Sequence, residues 1–155
     1  ITKKDKILCA KYRKGHFEGV LDVMERLTNL VNPKKIFMGK KDYQQYFLIK
    51  NYLKNKYKTS IIPCKTIRNK NKIALSSRNN HLDLNGIKKA SFLSKSLIKL
   101  KRSLLNNKKI KQNLRIQMKY FEKSLKIKIE YLELRSIKNL KISNTLICTR
   151  IFISN

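Results

Sequence analysis

No run of apolar residues approaches the roughly 18 needed to span a bilayer, and the opening Ile1–Lys6 is polar and basic. The sequence therefore predicts neither a transmembrane span nor a secretory signal peptide. Cysteine is scarce and odd in number. Cys9, Cys64 and Cys148 share no C-x-x-C spacing, which argues against a disulfide framework or a structural zinc site and for a reducing cytosol. RNP motif, zinc spacing, heptad and internal repeat are all missing. Tryptophan is absent, glycine occurs four times and proline twice.

Acidic residues are the other deficit: nine Asp and Glu stand against 38 Lys and Arg, a net charge of +29. That balance suits a nucleic-acid binder. Yet 30 of the basic residues are Lys and eight are Arg, whereas base reading and planar phosphate forks favour Arg. Asn (15) and Ile (19) are inflated too, and Lys, Asn and Ile are what an AT-rich genome writes by default. A solvated basic surface, a nucleic-acid face and attraction of small anions such as ATP all remain open on charge alone.

What is present is enough for a core. With 155 residues and 41% hydrophobic content, the chain suits one ordinary domain or two small ones and is no disordered tail. A compact fold of this size removes about 70% of its unfolded surface from water. In His16–Val31, Phe17, Val20, Leu21, Met24, Leu27 and Val31 recur at helical spacing, and Pro33 ends the helix. Lys35–Met38, closed by Gly39, reads as a buried parallel strand. Asp42–Lys54 reads as a second helix, with Asp42 as N-cap and Gln45 as its capping-box partner. Thr59–Cys64 reads as a second strand that ends, or lies near an edge, at Pro63. Helix, strand, helix, strand with short connections signals a parallel α/β layer.

Ile67–Asn80 lacks periodicity and reads as a loop or hinge. Beyond it, Leu93, Leu97, Leu100 and Leu104 stripe one Lys-rich helix, and another runs from about Lys109 to Leu125. Ile127–Leu134 and Thr145–Ile153 read as strands. Residues 88–128 hold fourteen basic residues and one acid, Glu122. The simplest division is two units, 1–66 and 67–155.

Three stretches carry possible chemistry: Arg13-Lys14-Gly15-His16, Gly39-Lys40-Lys41-Asp42-Tyr43-Gln44-Gln45, and Leu75-Ser76-Ser77-Arg78-Asn79. The second lies where a strand turns into a helix. There a glycine lets backbone approach a phosphate, the helix N-terminus offers unpaired N–H groups, and Lys41 adds a point charge. A capped turn with solvated lysines fits the same residues. The third stretch offers two hydroxyls and a guanidinium suited to a triphosphate, or an ordinary turn. His16 suits a pocket, or a simple helix start.

Taken together and in order, R-K-G-H-F-E-G-V, the helix end L-V-N-P, G-K-K-D-Y-Q-Q and A-L-S-S-R-N resemble the pantothenate synthetases, or pantoate–β-alanine ligases. The resemblance is close over residues 9–82. It weakens through the Lys-rich helices, returns at Glu130-Tyr131-Leu132-Glu133-Leu134-Arg135, and is faint near Thr149-Arg150. It implies part of a Rossmann-like nucleotidyltransferase sheet followed by a small α+β C-terminal domain that closes over the site. The implied reaction activates pantoate with ATP to pantoyl-adenylate, then joins it to β-alanine, giving pantothenate, AMP and pyrophosphate. Mg²⁺, a cytosolic homodimer, and no nucleic-acid or membrane partner are implied with it.

By the same resemblance Gly39, Lys40, Lys41 and Asp42 sit at the ATP, with Lys41 at its phosphates. Gln45 holds pantoate, Ile67 offers a backbone contact to adenine, and Leu75, Ser76, Ser77 and Arg78 form a mobile phosphate loop. Arg13 and His16 line the pocket. Departures accompany the match. The family's H-x-G-H motif is missing, and Arg13–His16 does not replace it. Lys14 stands where Pro is usual and Lys40 where Glu is usual. Asn69–Lys72 replaces an acidic, Gly-containing turn, which puts the mobility of the loop after it in question. The chain thus resembles the C-terminal half of the enzyme, without the first strands of the sheet; a decayed homologue is a further possibility. Such a half is expected to bind ATP weakly if at all, and tight binding by the 155-residue chain in calorimetry would overturn that expectation.

Overall fold

A computed structural model describes residues 1–103, 110–143 and 149–154. The chain forms two compact units, Ile1–Ile67 and Arg68–Asn155.

In the first unit a 3-10 turn (Lys3–Asp5) and a short helix α1 (Cys9–Tyr12) lead to Gly15, whose φ of +74° reverses the chain into α2 (His16–Val31). Asn32, also left-handed, closes α2 before Pro33. The buried face of α2 differs from the expected stripe. Phe17 and Leu21 are buried, but Leu27 and Val31 are exposed, and Thr28 is buried in their place. Thr28 tolerates this because its Oγ1 donates to Met24 O at 2.6 Å, which satisfies the hydroxyl locally.

β1 (Lys35–Gly39) and β2 (Ser60–Cys64) pair in parallel, joined by α3 (Tyr43–Leu53), an α/β crossover unit. The register runs from Lys35 opposite Ser60 to Gly39 opposite Cys64, so Pro63 lies inside the strand, one residue before its end. Two bonds fix the amino end of the pairing: Thr59 Oγ1 donates to Pro33 O at 2.7 Å, and Ser60 N to Lys34 O at 3.0 Å. α3 turns Tyr43, Tyr46, Leu48, Ile49 and Leu53 into the interior. Before α1, Leu8 is buried in a strained conformation (φ 51°, ψ −131°), which costs about 1–3 kcal/mol.

The second unit opens with a tight turn bridged by Arg68 and Ala74, then a 3-10 helix (Ser77–His81). α4 (Leu84–Ser103) follows; the Asp83 carboxylate accepts the Gly86 N–H at 2.6 Å and satisfies a donor of its first turn. α5 (Ile110–Leu125) and the antiparallel pair β3 (Tyr131–Ser136) and β4 (Thr149–Ser154) complete it. Leu100, Leu114, Phe121, Leu125, Ile129, Leu132 and Leu134 form its core, with Leu93 and Leu97 packed against it. Leu104, Lys109 and 145–148 lie outside the described residues.

The strand expected from Ile127 starts instead at Tyr131. Glu122 explains the delay. Its backbone oxygen accepts the Ile127 N–H at 3.3 Å and its carboxylate the Ile129 N–H at 3.0 Å, while Lys126 turns left-handed. These N–H groups therefore terminate α5 and are lost to a ladder.

On the first unit's surface Glu25 of α2 accepts from Tyr52 at 2.5 Å and from Lys56 at 2.7 Å, tying α2 to the end of α3. The bonds from Lys56 and Tyr52 lower the Glu25 pKa below its ordinary 4.5, and the bond to Glu25 raises that of Lys56. A depressed carboxylate contributes stability that is present above its unfolded pKa and lost as pH falls through the lower folded one. Melting temperature should therefore fall less below pH 4.5 in Glu25→Gln than in the parent chain; equal acid slopes in thermal melts would refute the linkage.

Candidate active site

The carboxyl end of β1 runs into a 3-10 turn, Lys40–Asp42, and that turn runs directly into α3. Parallel sheets bind ligands at this end of their strands. Gly39 has φ −67°, open to any residue, and a Cβ there would meet nothing within 4 Å. Glycine is required here by neither strain nor crowding; what it leaves is an approachable backbone beside Cys64, its exposed partner across the ladder.

The capping box expected of Asp42 and Gln45 does not form. Asp42 has φ −95° and ψ 61°, outside the extended conformation an N-cap needs, and its side chain caps no N–H of α3. Gly39 likewise gives the turn no side-chain cap. No side chain therefore caps this corner, and the positive end of the helix dipole there favours an anion. Asp42 instead faces Lys41, with Nζ 3.9 Å from Oδ2. At that distance, with both groups solvated, the pair is weak and holds the ammonium loosely.

Gln45 lies in the first turn of α3, half-buried, so Gly39, Lys40, Lys41, Asp42 and Gln45 share one strand–turn–helix corner. Arg13 and His16 form a separate pair across the Gly15 turn, with Nη2 of Arg13 3.3 Å from Nδ1 of His16. Ile67 ends the first unit and is exposed. Leu75, Ser76, Ser77 and Arg78 belong to the second unit.

The last group is more ordered than the expected loop. Ser76 caps the 3-10 helix that contains Ser77 and Arg78, its Oγ accepting the Arg78 N–H at 3.3 Å, and Asn79 Nδ2 donates to Ala74 O at 2.9 Å. The turn before it is fastened by one amide. Asn69 Oδ1 accepts from Asn71 N and Ile73 N, each at 3.0 Å, while Lys72 takes the left-handed conformation (φ 65°). Ser91 Oγ then donates to Asn71 O at 3.0 Å and ties the turn to α4.

Sequence reading passed over one residue here, Gln44. It is 4% exposed, and its Nε2 donates to Asp5 O at 3.3 Å and to Ile7 O at 2.7 Å. The available signal was spacing: Gln44 stands four residues before buried Leu48, on the inner side of α3.

The parallel strand–helix–strand with an uncapped, lysine-bearing turn at its carboxyl end defines an α/β fold of the nucleotidyltransferase type. The family model described as "Pantoate-beta-alanine ligase" matches residues 1–154, and the chain belongs to that family. It is 43% identical over 127 residues to a bifunctional pantoate ligase/cytidylate kinase of Prochlorococcus marinus (strain AS9601), covering 81% of this chain and 24% of that protein. It is 40% identical over 126 residues to the pantothenate synthetase of Buchnera aphidicola subsp. Schizaphis graminum, covering 79% of this chain and 44% of that protein. The crystal structure of the Thermus thermophilus pantothenate synthetase aligns with a TM-score of 0.77 at 25% identity, over 94% of this chain and 53% of that one. A Francisella tularensis pantoate-beta-alanine ligase, complexed with beta-gamma ATP and beta-alanine, aligns at 0.71 with 30% identity, over 86% and 48%. The chain therefore spans about half or less of the length of these proteins. Nothing among these findings supports a nucleic-acid-binding module.

The Asn69 turn is open to a direct test. Asn69→Ala removes an acceptor of two N–H groups and should destabilise the second unit by about 1–2 kcal/mol. Lys72→Gly relieves the left-handed strain and should stabilise it by a few tenths to about 1 kcal/mol. Urea denaturation of both variants checks the opposite signs.

Proposed function

We propose that this chain is the part of a pantoate–β-alanine ligase that carries the phosphate-binding corner, and that the whole protein makes pantothenate. In the first step a pantoate carboxylate oxygen attacks the α-phosphorus of ATP, and the bond to the bridging oxygen breaks to release pyrophosphate. In the second step the amine of β-alanine attacks the acyl carbon of pantoyl-adenylate, loses a proton, and displaces AMP. Neither step needs a protein nucleophile; positioning and stabilisation of charge suffice.

The observation that carries this reading is the corner itself: Lys41 stands where a parallel strand ends and an uncapped helix begins. Backbone N–H groups after Gly39 would take phosphate oxygens, with Lys41 countering the charge that grows as pyrophosphate leaves. Lys40 and Asp42 would flank the nucleotide, Gln45 would hold pantoate, and the Ile67 backbone would meet the adenine. Leu75, Ser76, Ser77 and Arg78 would cover the triphosphate from a C-terminal lid domain, with Arg13 and His16 lining the pocket. The F. tularensis relative complexed with beta-gamma ATP and beta-alanine supports both substrates.

Mg²⁺ fits this arrangement by its donor chemistry. It binds through one or two carboxylates together with phosphate oxygens and waters. Asp42 is the exposed carboxylate at the phosphate corner, and among the described residues no three His, Cys, Asp or Glu side chains gather into a cage. When bound, the ion neutralises phosphate charge. A homodimer and a cytoplasmic location complete the proposal; no helix among the described residues is long and apolar enough to cross a membrane.

The test is pantoate-dependent ATP–pyrophosphate exchange by the natural gene product containing this chain, beside its Lys41→Ala variant. Exchange that requires pantoate and falls by about 10²–10³ in the variant is the expected result. A well-folded parent protein without exchange would remove the ligase reading.

A further inference from the structure

Gln44 joins two stretches that the site reading treats separately. Its Nε2 spends both protons on carbonyls 39 and 37 residues earlier, Asp5 O at 3.3 Å and Ile7 O at 2.7 Å. Ile7 O also accepts the Ala10 N–H at 3.0 Å, so one oxygen anchors the start of α1 and the amide of α3. From there the chain passes through α1 to the Arg13–His16 pair, while Gln44 itself sits between the Lys40–Asp42 turn and Gln45.

This joint is costly in two ways. Gln44 Oε1 is buried and accepts no hydrogen bond, and Leu8, next to Ile7, is buried in a left-handed, strained conformation. A leucine side chain on the inner face of α3 would avoid the orphaned oxygen. Groups left unsatisfied or strained in a packed interior persist where the surroundings over-determine them, and they cluster at functional sites.

We infer that Gln44 is a positioning residue: its amide clamps the Asp5–Leu8 segment to the first turn of α3 and so fixes the start of α1, which leads to the Arg13–His16 pair, relative to the lysine corner. The inference rests on the ligase reading. Gln44 touches no substrate; it acts through the elements it joins.

The test uses Gln44→Leu and Gln44→Glu in the natural gene product, with the folded fraction of each followed by circular dichroism. For Gln44→Leu, kcat per folded molecule in pantoate-dependent exchange should fall about ten- to hundredfold with the KM for ATP near that of the parent. Alkylation of half-buried Cys9, the first residue of α1, should speed up about tenfold as the segment detaches, while that of exposed Cys64 stays unchanged. In Gln44→Glu the ionised carboxyl has no proton for the two carbonyls, whereas the protonated form has one. Its activity relative to the parent should therefore rise as pH falls, and that of Gln44→Leu should stay flat. Parent-like kcat in folded Gln44→Leu, with Cys9 no more reactive, would overturn the inference. So would losses that vanish once the folded fraction is counted. A parent protein that shows no exchange is a different result: it removes the ligase reading, and the positioning role with it.

Discussion

The candidate site depends on one short parallel ladder. Five residues of β1 face five of β2, and the bonds from Thr59 and Ser60 at its amino end set the register. A slip of one residue would turn every side chain of a strand to the other face of the sheet. With the register held, Gly39 comes to the carboxyl edge opposite Cys64, and the Lys40–Asp42 turn leaves the sheet in the direction of α3. α3 can accept that turn only because its inner side, centred on fully buried Ile49 and Leu53, is fixed against the rest of the unit. The lysine-bearing corner is therefore a by-product of how a crossover helix must return to its sheet.

Much of this was legible because the signals were local. The apolar run Ile36-Phe37-Met38 and its closing Gly39 marked β1 as a parallel strand, but not as the buried one expected, since none of its residues is buried and Phe37 is 68% exposed; Pro33 marked the end of α2. The Lys41 corner followed from the strand-to-helix junction. What misled were residues whose role depends on a distant or competing partner. Asp42 has the right identity and spacing for a capping box, but a 3-10 turn claims its backbone first. Thr28 lay outside the apolar stripe, yet a bond to Met24 lets it replace Leu27 in the packed face. Ile127–Glu130 alternate like a strand until Glu122 takes the N–H groups of Ile127 and Ile129. Gln44 was invisible for the same reason: its partners lie nearly forty residues away.

The basic excess has a plain structural correlate in the second unit. Lys88, Lys95, Lys99, Lys101, Arg102, Arg115, Lys119 and Lys123 are all exposed, while the leucines between them build the core. Long aliphatic stems can cover apolar surface while their charges stay in water, so Lys-rich helices pack without burying charge. The charge describes the outer faces of α4 and α5 and leaves the site argument to a single lysine at a sheet edge.

Glycine is scarce, and the backbone shows where that scarcity is felt. Among the described residues six positions adopt positive φ; one is Gly15, and the others are Leu8, Asn32, Lys72, Lys126 and Leu140. Each non-glycine residue there holds strain of about 1–2 kcal/mol that glycine would release, less for Asn. Against the roughly 5–15 kcal/mol that separates a folded domain from its unfolded chain, this backlog is large. Restoring glycine at Lys72 or Lys126 is therefore a stabilising step open to this chain.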